Sequence, residues 1–137
     1  MENISQSIKT INDIIEKKAN NELSQFNITI SQARILAFLA GVNRQVPLKE
    51  LEKAFNVSQA TMQGTIARME KKGYLCTVYL PVNRRQKLVV LTEYGQQLTD
   101  KMLKRISSIN LDIAQSLTAE EQKEFSRIIN KIHNSLI

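Results

Sequence analysis

The chain has 137 residues, 42% of them hydrophobic, and a net charge of +6. A chain of that size buries roughly two-thirds of its unfolded surface, enough for one core but not for two. Its longest apolar run, Ile35 to Val42, falls far short of the ~20 residues that span a bilayer. The N-terminus lacks the basic-then-apolar plan of a secretory leader, and the one cysteine, Cys76, excludes an internal disulfide framework and suits the cytoplasm.

Taken in chain order, Ile4, Ile8, Ile11 and Ile15, with Leu23 beyond them, recur at helical intervals and predict a first amphipathic helix of about 20 residues. Thr29 with Gln32 is a capping-box pattern, and Ile35, Leu36 and Leu39 carry a second helix behind it. Pro47 suits the first turn of a third helix, Leu48 to Phe55, whose Leu51 and Ala54 should face inward. Ser58 caps a fourth helix that runs to Lys72 and stops at Gly73. The period then changes. Leu75 to Leu80 and Lys87 to Leu91 are β-branched and aromatic runs around Pro81-Val82-Asn83-Arg84-Arg85-Gln86, which predicts a strand, a basic turn and a strand. Thr92 caps a long fifth helix with Leu98, Met102, Ile106, Ile109 and Ile113 in one stripe. Thr118 with Glu121 is a second capping box, and Phe125, Ile128, Ile132 and Leu136 form the apolar face of a last helix. There is no internal repeat.

The charge is confined to one part of this plan. Residues 44–87 hold nine Lys/Arg and three Asp/Glu, while residues 1–43 hold four of each sign and residues 88–137 six of each. A surplus gathered on one compact module is an electrostatic footprint for a polyanion, and a DNA backbone is the obvious one. On the fourth helix Met62, Ile66 and Met69 form the inward stripe, leaving Ala60, Gly64, Ala67 and Lys71 opposite, flanked by Gln63, Thr61 and Arg68. Small outward side chains let a helix backbone sit deep in a groove; Gln63 is long enough to reach base edges, and Thr61, Arg68 and Lys71 suit phosphates. A solvated helix face is the plain alternative, which the confined charge argues against. The turn Asn83-Arg84-Arg85-Gln86-Lys87 has no acid to balance it, and an arginine there is placed for a minor groove.

Other chemistry is thin. His133 is the single histidine and reads as a surface or interface residue, and Cys76 reads as a buried, inert thiol. There is no phosphate-binding loop, nucleophile elbow or carboxylate pair in a plausible cleft. No catalytic residue, metal or cofactor is expected.

The ordered set Thr29-Ile30-Ser31-Gln32-Ala33-Arg34-Ile35-Leu36, Leu51-Glu52-Lys53-Ala54-Phe55-Asn56-Val57-Ser58, Arg68-Met69-Glu70-Lys71-Lys72-Gly73-Tyr74-Leu75, Asn83-Arg84-Arg85 and Leu91-Thr92-Glu93-Tyr94-Gly95 resembles the MarR family of bacterial winged-helix regulators. The resemblance covers nearly the whole chain. It implies a homodimer with interlocked first, fifth and sixth helices, a palindromic operator read by two recognition helices, and often a small-molecule or oxidant signal that releases the DNA, for which a small aromatic effector is the expected class. Two departures stand out. The family's wing usually reads Asp-Arg-Arg, whereas Asn83 leaves the arginines without a charged brace. Gly64 stands where many relatives carry a basic residue. Relatives that sense peroxide place their cysteine in the first helix, where this chain has none.

The expected fold is therefore mainly α with a small β-hairpin wing, a single domain in which a winged helix-turn-helix (29–91) is flanked by dimerisation helices (1–28 and 92–137). The residues expected at DNA are Ser58, Gln59, Ala60, Thr61, Gln63, Gly64, Arg68 and Lys71 on the helix and Arg84, Arg85 and Lys87 on the hairpin. Those expected between subunits are Ile4, Ile8, Ile11, Ile109, Ile113, Phe125, Ile128 and Ile132. The expected function is a sequence-specific regulator, a repressor acting as a homodimer in the cytoplasm. The alternatives are a dimeric winged-helix adaptor or antirepressor that does not read DNA, and, more remotely, a dimerisation domain of an enzyme.

Overall fold

A computed structural model describes residues 3–82 and 85–137. Asn83 and Arg84, two members of the predicted wing turn, lie outside the described residues.

Helix α1 spans Ile4–Leu23 and starts at Asn3, whose side chain accepts from the Gln6 amide; a 3-10 turn, Ser24–Phe26, follows it. Helix α2, Ile30–Val42, begins at the Thr29–Gln32 capping box with both reciprocal hydrogen bonds in place. Then come strand β1 (Val46–Pro47), helix α3 (Leu48–Phe55) and helix α4 (Gln59–Lys71). Strands β2 (Leu75–Tyr79) and β3 (Lys87–Leu91) form the wing. Helices α5 (Glu93–Gln115) and α6 (Ala119–Leu136) complete the chain, starting at Thr92 and Thr118. The core lies inside the module: Leu36, Leu51, Ile66, Met69, Leu75, Val89 and Met102 bring α2, α3, α4, both wing strands and the first half of α5 into one buried cluster.

Several details differ from the sequence reading. The wing is not a lone hairpin, because β1 pairs antiparallel with β3 (Val46 opposite Val89, Pro47 opposite Leu88) and gives the order β1-β3-β2. A two-residue strand is too short to show a period, and Pro47 sits on an outer strand, where its missing amide N–H leaves no central ladder bond unmade. Pro47 is accordingly the residue before α3, at φ −60 and ψ 141, and not its first turn. Ala54 is exposed; the short helix buries Leu48 and Leu51 and half-buries Phe55, a stripe in which Ala54 has no place. Cys76 is half-buried on β2, not fully enclosed.

Helix α4, the wing and α5 meet at one knot. Gly73 takes φ 83 to turn the chain out of α4, and Tyr74 then donates its hydroxyl to the Phe26 carbonyl at 3.3 Å. The Tyr74 ring stacks on Tyr94 at 5.6 Å, and burial pushes its phenol pKa up. Thr92 donates its amide to the Tyr74 carbonyl and its hydroxyl to that of Gly73. Gly95 on α5 packs so closely that a Cβ there would lie 1.8 Å from the Tyr74 carbonyl oxygen. The module is thereby held firmly to the start of α5. Helix α6 is different: none of its residues is buried, although the Gln122 side-chain amide donates to the carbonyls of Ala114 and Leu117 across the α5–α6 elbow.

Candidate nucleic-acid interface

Helix α4 owes its orientation to a short pattern. Ser58 accepts from the Thr61 amide at 3.1 Å, satisfying one of the free N–H groups of the first turn. Met62, Ile66 and Met69 are buried, on a helix that packs against α3 and β2. The opposite side follows from helical period: Gln59, Ala60, Thr61, Gln63, Ala67, Arg68 and Lys71 are exposed, Gly64 is half-buried, and Ser58 is exposed at the cap. The charge on that side is uneven. Arg68 and Lys71 lie in the last turn and the first turn has no acidic residue, so the cations sit at one end.

Two side chains deviate from a freely extended face. The Arg68 guanidinium turns back along the helix, its Nη2 donating to Thr65 Oγ1 at 3.3 Å and its Nη1 lying 3.4 Å from where a Gly64 Cβ would stand. The backbone at Gly64 is thus roofed by a movable side chain. The Ser58 hydroxyl donates to Thr61 Oγ1 at 2.9 Å, so these two predicted contacts are paired with each other.

The wing stands beside α4 and is braced to it. Glu70, in the last turns of the helix, accepts from both the amide and the hydroxyl of Thr77 on β2, each at 2.8 Å. The brace aims the hairpin to one side of the helix face. Between them lies a cleft of about 710 Å³ bordered by Gln59, Gln63 and Ala67 of α4, by Tyr79, Arg85, Gln86 and Lys87 of the wing, and by Lys49 and Glu52 of α3. Val82, at the wing tip, is 98% exposed. The geometry brings together Gln59, Gln63, Arg85 and Lys87 from the predicted set; Ala60, Thr61 and Lys71 lie on the helix outside the cleft lining, and Arg84 is outside the described residues. Lys49, Glu52 and Tyr79 join the cleft unannounced by any sequence pattern, beside Gln86 of the turn already read as basic. They come from two other elements, and no spacing rule connects those elements to α4.

The acids of the module account for themselves individually. Glu50 accepts both Nη1 and Nη2 of Arg44, at 2.9 and 2.8 Å; that bidentate bond holds its carboxyl below the usual carboxylate range and raises the arginine. The pair cancels, so the surplus of six is unchanged. Glu70 is committed to Thr77, and only Glu52 remains beside the cleft. Lys72 turns away from the cleft and donates to the Asn27 carbonyl at 2.7 Å.

The residues predicted between subunits lie elsewhere. Ile4, Ile8, Ile11, Ile113, Phe125 and Ile128 are exposed on α1, α5 and α6, and Ile132 is half-buried. Ile109 is only 5% exposed: it lies in the crevice between α1 and α5 and is largely covered by its own chain. Ile14, at 53% exposure, joins the exposed set although it falls outside the predicted one. His133 is exposed on α6. Among the described residues no group of three or more His, Cys, Asp or Glu is gathered closely enough to hold a metal ion, and no helix is long and apolar enough to cross a membrane.

A family model described as the MarR family matches residues 26–86. The DNA complex of MepR from S. aureus is similar in structure over 98% of this chain and 99% of its own, with 20% identity and a TM-score of 0.90. A mutant MarR from E. coli complexed with operator DNA matches over 94% and 92%, with 22% identity and a TM-score of 0.84. MepR described as a transcription regulator of the S. aureus multidrug efflux pump MepA matches over 98% and 99%, with 21% identity and a TM-score of 0.77.

Proposed function

The chain belongs to the MarR family, and from that membership and the basic cleft we propose that it is a DNA-binding transcription regulator, a repressor acting as a homodimer on a palindromic operator. One observation carries the reading. The whole net charge resides on residues 44–87, and Lys49, Arg85 and Lys87 of that segment border a cleft whose other wall is the exposed side of α4. A helix of this kind enters a major groove while a neighbouring basic hairpin reaches the backbone or the minor groove. That proteins of the same fold have been crystallised on DNA supports the reading.

In this proposal Ser58, Gln59, Ala60, Thr61, Gln63, Gly64, Arg68 and Lys71 face the major groove, and Arg84, Arg85 and Lys87 act from the wing. Residues 29–91 are the reading module; residues 1–28 and 92–137 bring two copies together through the exposed isoleucines of α1 and the apolar side of α6. A palindromic site follows from a twofold dimer, with half-sites about one helical turn apart. A releasing effector would act where α5 joins the module, since only there can it alter the spacing of two recognition helices. A cleft of about 430 Å³ lined by Leu39, Gln45, Val90 and Gln96 lies at that junction.

The direct test is a gel shift on the DNA upstream of the chain's own coding sequence, repeated at several salt concentrations. Retarded, salt-sensitive complexes with a preferred duplex are expected; a dimer with no affinity for any duplex would establish the adaptor alternative instead.

A further inference from the structure

We propose that the half-site read by this chain is built on adenines one or two base steps apart, because the side of α4 bordering the cleft carries two glutamine amides one turn apart and no cation. The inference rests on the DNA-binding reading and names the sequence class that reading leaves open.

Gln59 and Gln63 both border the cleft, with Ala67 one turn further on. Both glutamines are exposed, and neither amide is engaged in a hydrogen bond among the described residues. Residues four apart share a helix face and differ by about 6 Å along the axis. Base pairs are spaced by about 3.4 Å, so the two amides meet pairs one or two steps apart.

The chemistry of an amide then selects the base. A glutamine offers one acceptor oxygen and a donor NH2. In the major groove adenine presents the complementary set, the N6 donor and the N7 acceptor, and accepts the amide bidentately; guanine presents two acceptors, N7 and O6, so the amide oxygen would face a second acceptor unpaired. Guanine is the base for arginine and lysine, and on α4 these are Arg68 and Lys71, in the last turn, whereas bases are contacted by the N-terminal part of such a helix. Arg68 is also turned back onto Thr65. Thr61, which could serve either base, has its hydroxyl bonded to Ser58.

The test selects duplexes from a random pool with the full chain, then measures affinity for the selected site. Adenines at two positions of each half-site, one or two steps apart, are expected, and replacing either A·T pair by G·C should weaken binding about fivefold to 150-fold. Substituting 7-deazaadenine, which keeps base pairing but lacks N7, should weaken binding of the parent at both positions; in Gln59→Ala and Gln63→Ala each, one of those two losses should vanish. Selection of G·C at the positions the glutamines govern, or 7-deazaadenine losses that persist unchanged in both variants, would overturn the inference. Salt-dependent binding with equal affinity for every duplex would also overturn it while leaving the DNA-binding reading intact. No binding to any duplex at low salt would remove both.

Discussion

At Gly64 two demands on one residue oppose each other. A helix favours a side chain there, and a Cβ would meet only the movable Arg68 Nη1 at 3.4 Å, an ordinary contact. Gly64→Ala is expected to raise stability by about 1 kcal/mol, read by calorimetry, and to lower DNA affinity, since the methyl stands on the side proposed to approach the duplex. Undiminished affinity would mean that this side does not enter a groove. Gly95 behaves oppositely: its missing side chain makes room for the Tyr74 carbonyl. Gly95→Ala should destabilise by about 3 kcal/mol, because a backbone carbonyl cannot rotate away as a side chain can; a denaturation midpoint like that of the parent would contradict the close approach. The Arg44–Glu50 pair carries a pH dependence of definite sign. The Glu50 carboxyl is depressed by the hydrogen bonds from Arg44, so the stability it contributes is present above the ordinary carboxylate pKa and is lost as pH falls through the lower, folded value. The difference in stability between the parent and Glu50→Gln should therefore close in acid, a small effect because both side chains are solvated. At this scale the sequence was informative about α4, since the helical period that buries Met62, Ile66 and Met69 fixes what stands opposite. It was silent on Tyr79, Lys49 and Glu52, which reach the cleft only through the folding of other elements, and on the rotamer that lays Arg68 over Gly64.

Among the elements, the helix starts capped by a hydroxyl were legible, and the left-handed stops without a glycine were not. Thr29, Ser58, Thr92 and Thr118 each cap the helix expected behind them, because a hydroxyl bonded to the N3 amide is a local chemical arrangement. The stops use Asn27, Asn43 and Asn56, all left-handed at φ 55, 49 and 51, where a glycine is the usual signal; only Gly73 follows that signal. Strand β1 was hidden for a different reason: its pairing with β3 joins residues far apart in the chain, Val46 with Val89, and leaves no local trace. The brace between α4 and the wing is likewise invisible in sequence, since Glu70 alone reads as one more surface acid. Glu70→Ala would leave the Thr77 amide and hydroxyl without their carboxylate acceptor, at a cost of about 2 kcal/mol, and would let the wing swing. Half-site preference should survive while the salt dependence of binding flattens, by about 0.9 in log–log slope for each phosphate the wing no longer reaches. If the slope held and only stability fell, the brace would serve folding and not the aim of the wing.

For the molecule as a whole, the proposed dimer and the exposed apolar helices belong together. Ile4, Ile8, Ile11 and Ile14 of α1 and Phe125, Ile128 and Ile129 of α6 are each 40% to 58% exposed, large apolar side chains of the kind that mark an interaction surface when several stand on one helix face. The segments that carry them hold equal numbers of opposite charges, so like subunits do not repel. Ile128→Glu on α6 should yield monomers in sedimentation, with lower thermal stability and no cooperative binding to two half-sites, while the parent melts at a temperature that rises with concentration. A stable, folded parent monomer at micromolar concentration would remove the dimer and the palindrome together. The exposed state of α6 also bears on what would become of a subunit of the proposed dimer made without its partner. An orphan chain shows Phe125 and its neighbouring isoleucines to the cell as an unfolded protein would, a surface that chaperones hold and proteases recognise. Under the proposed dimer, quality control would measure pairing, and the standing amount of this protein would follow encounters between newly made chains rather than the rate of their synthesis alone.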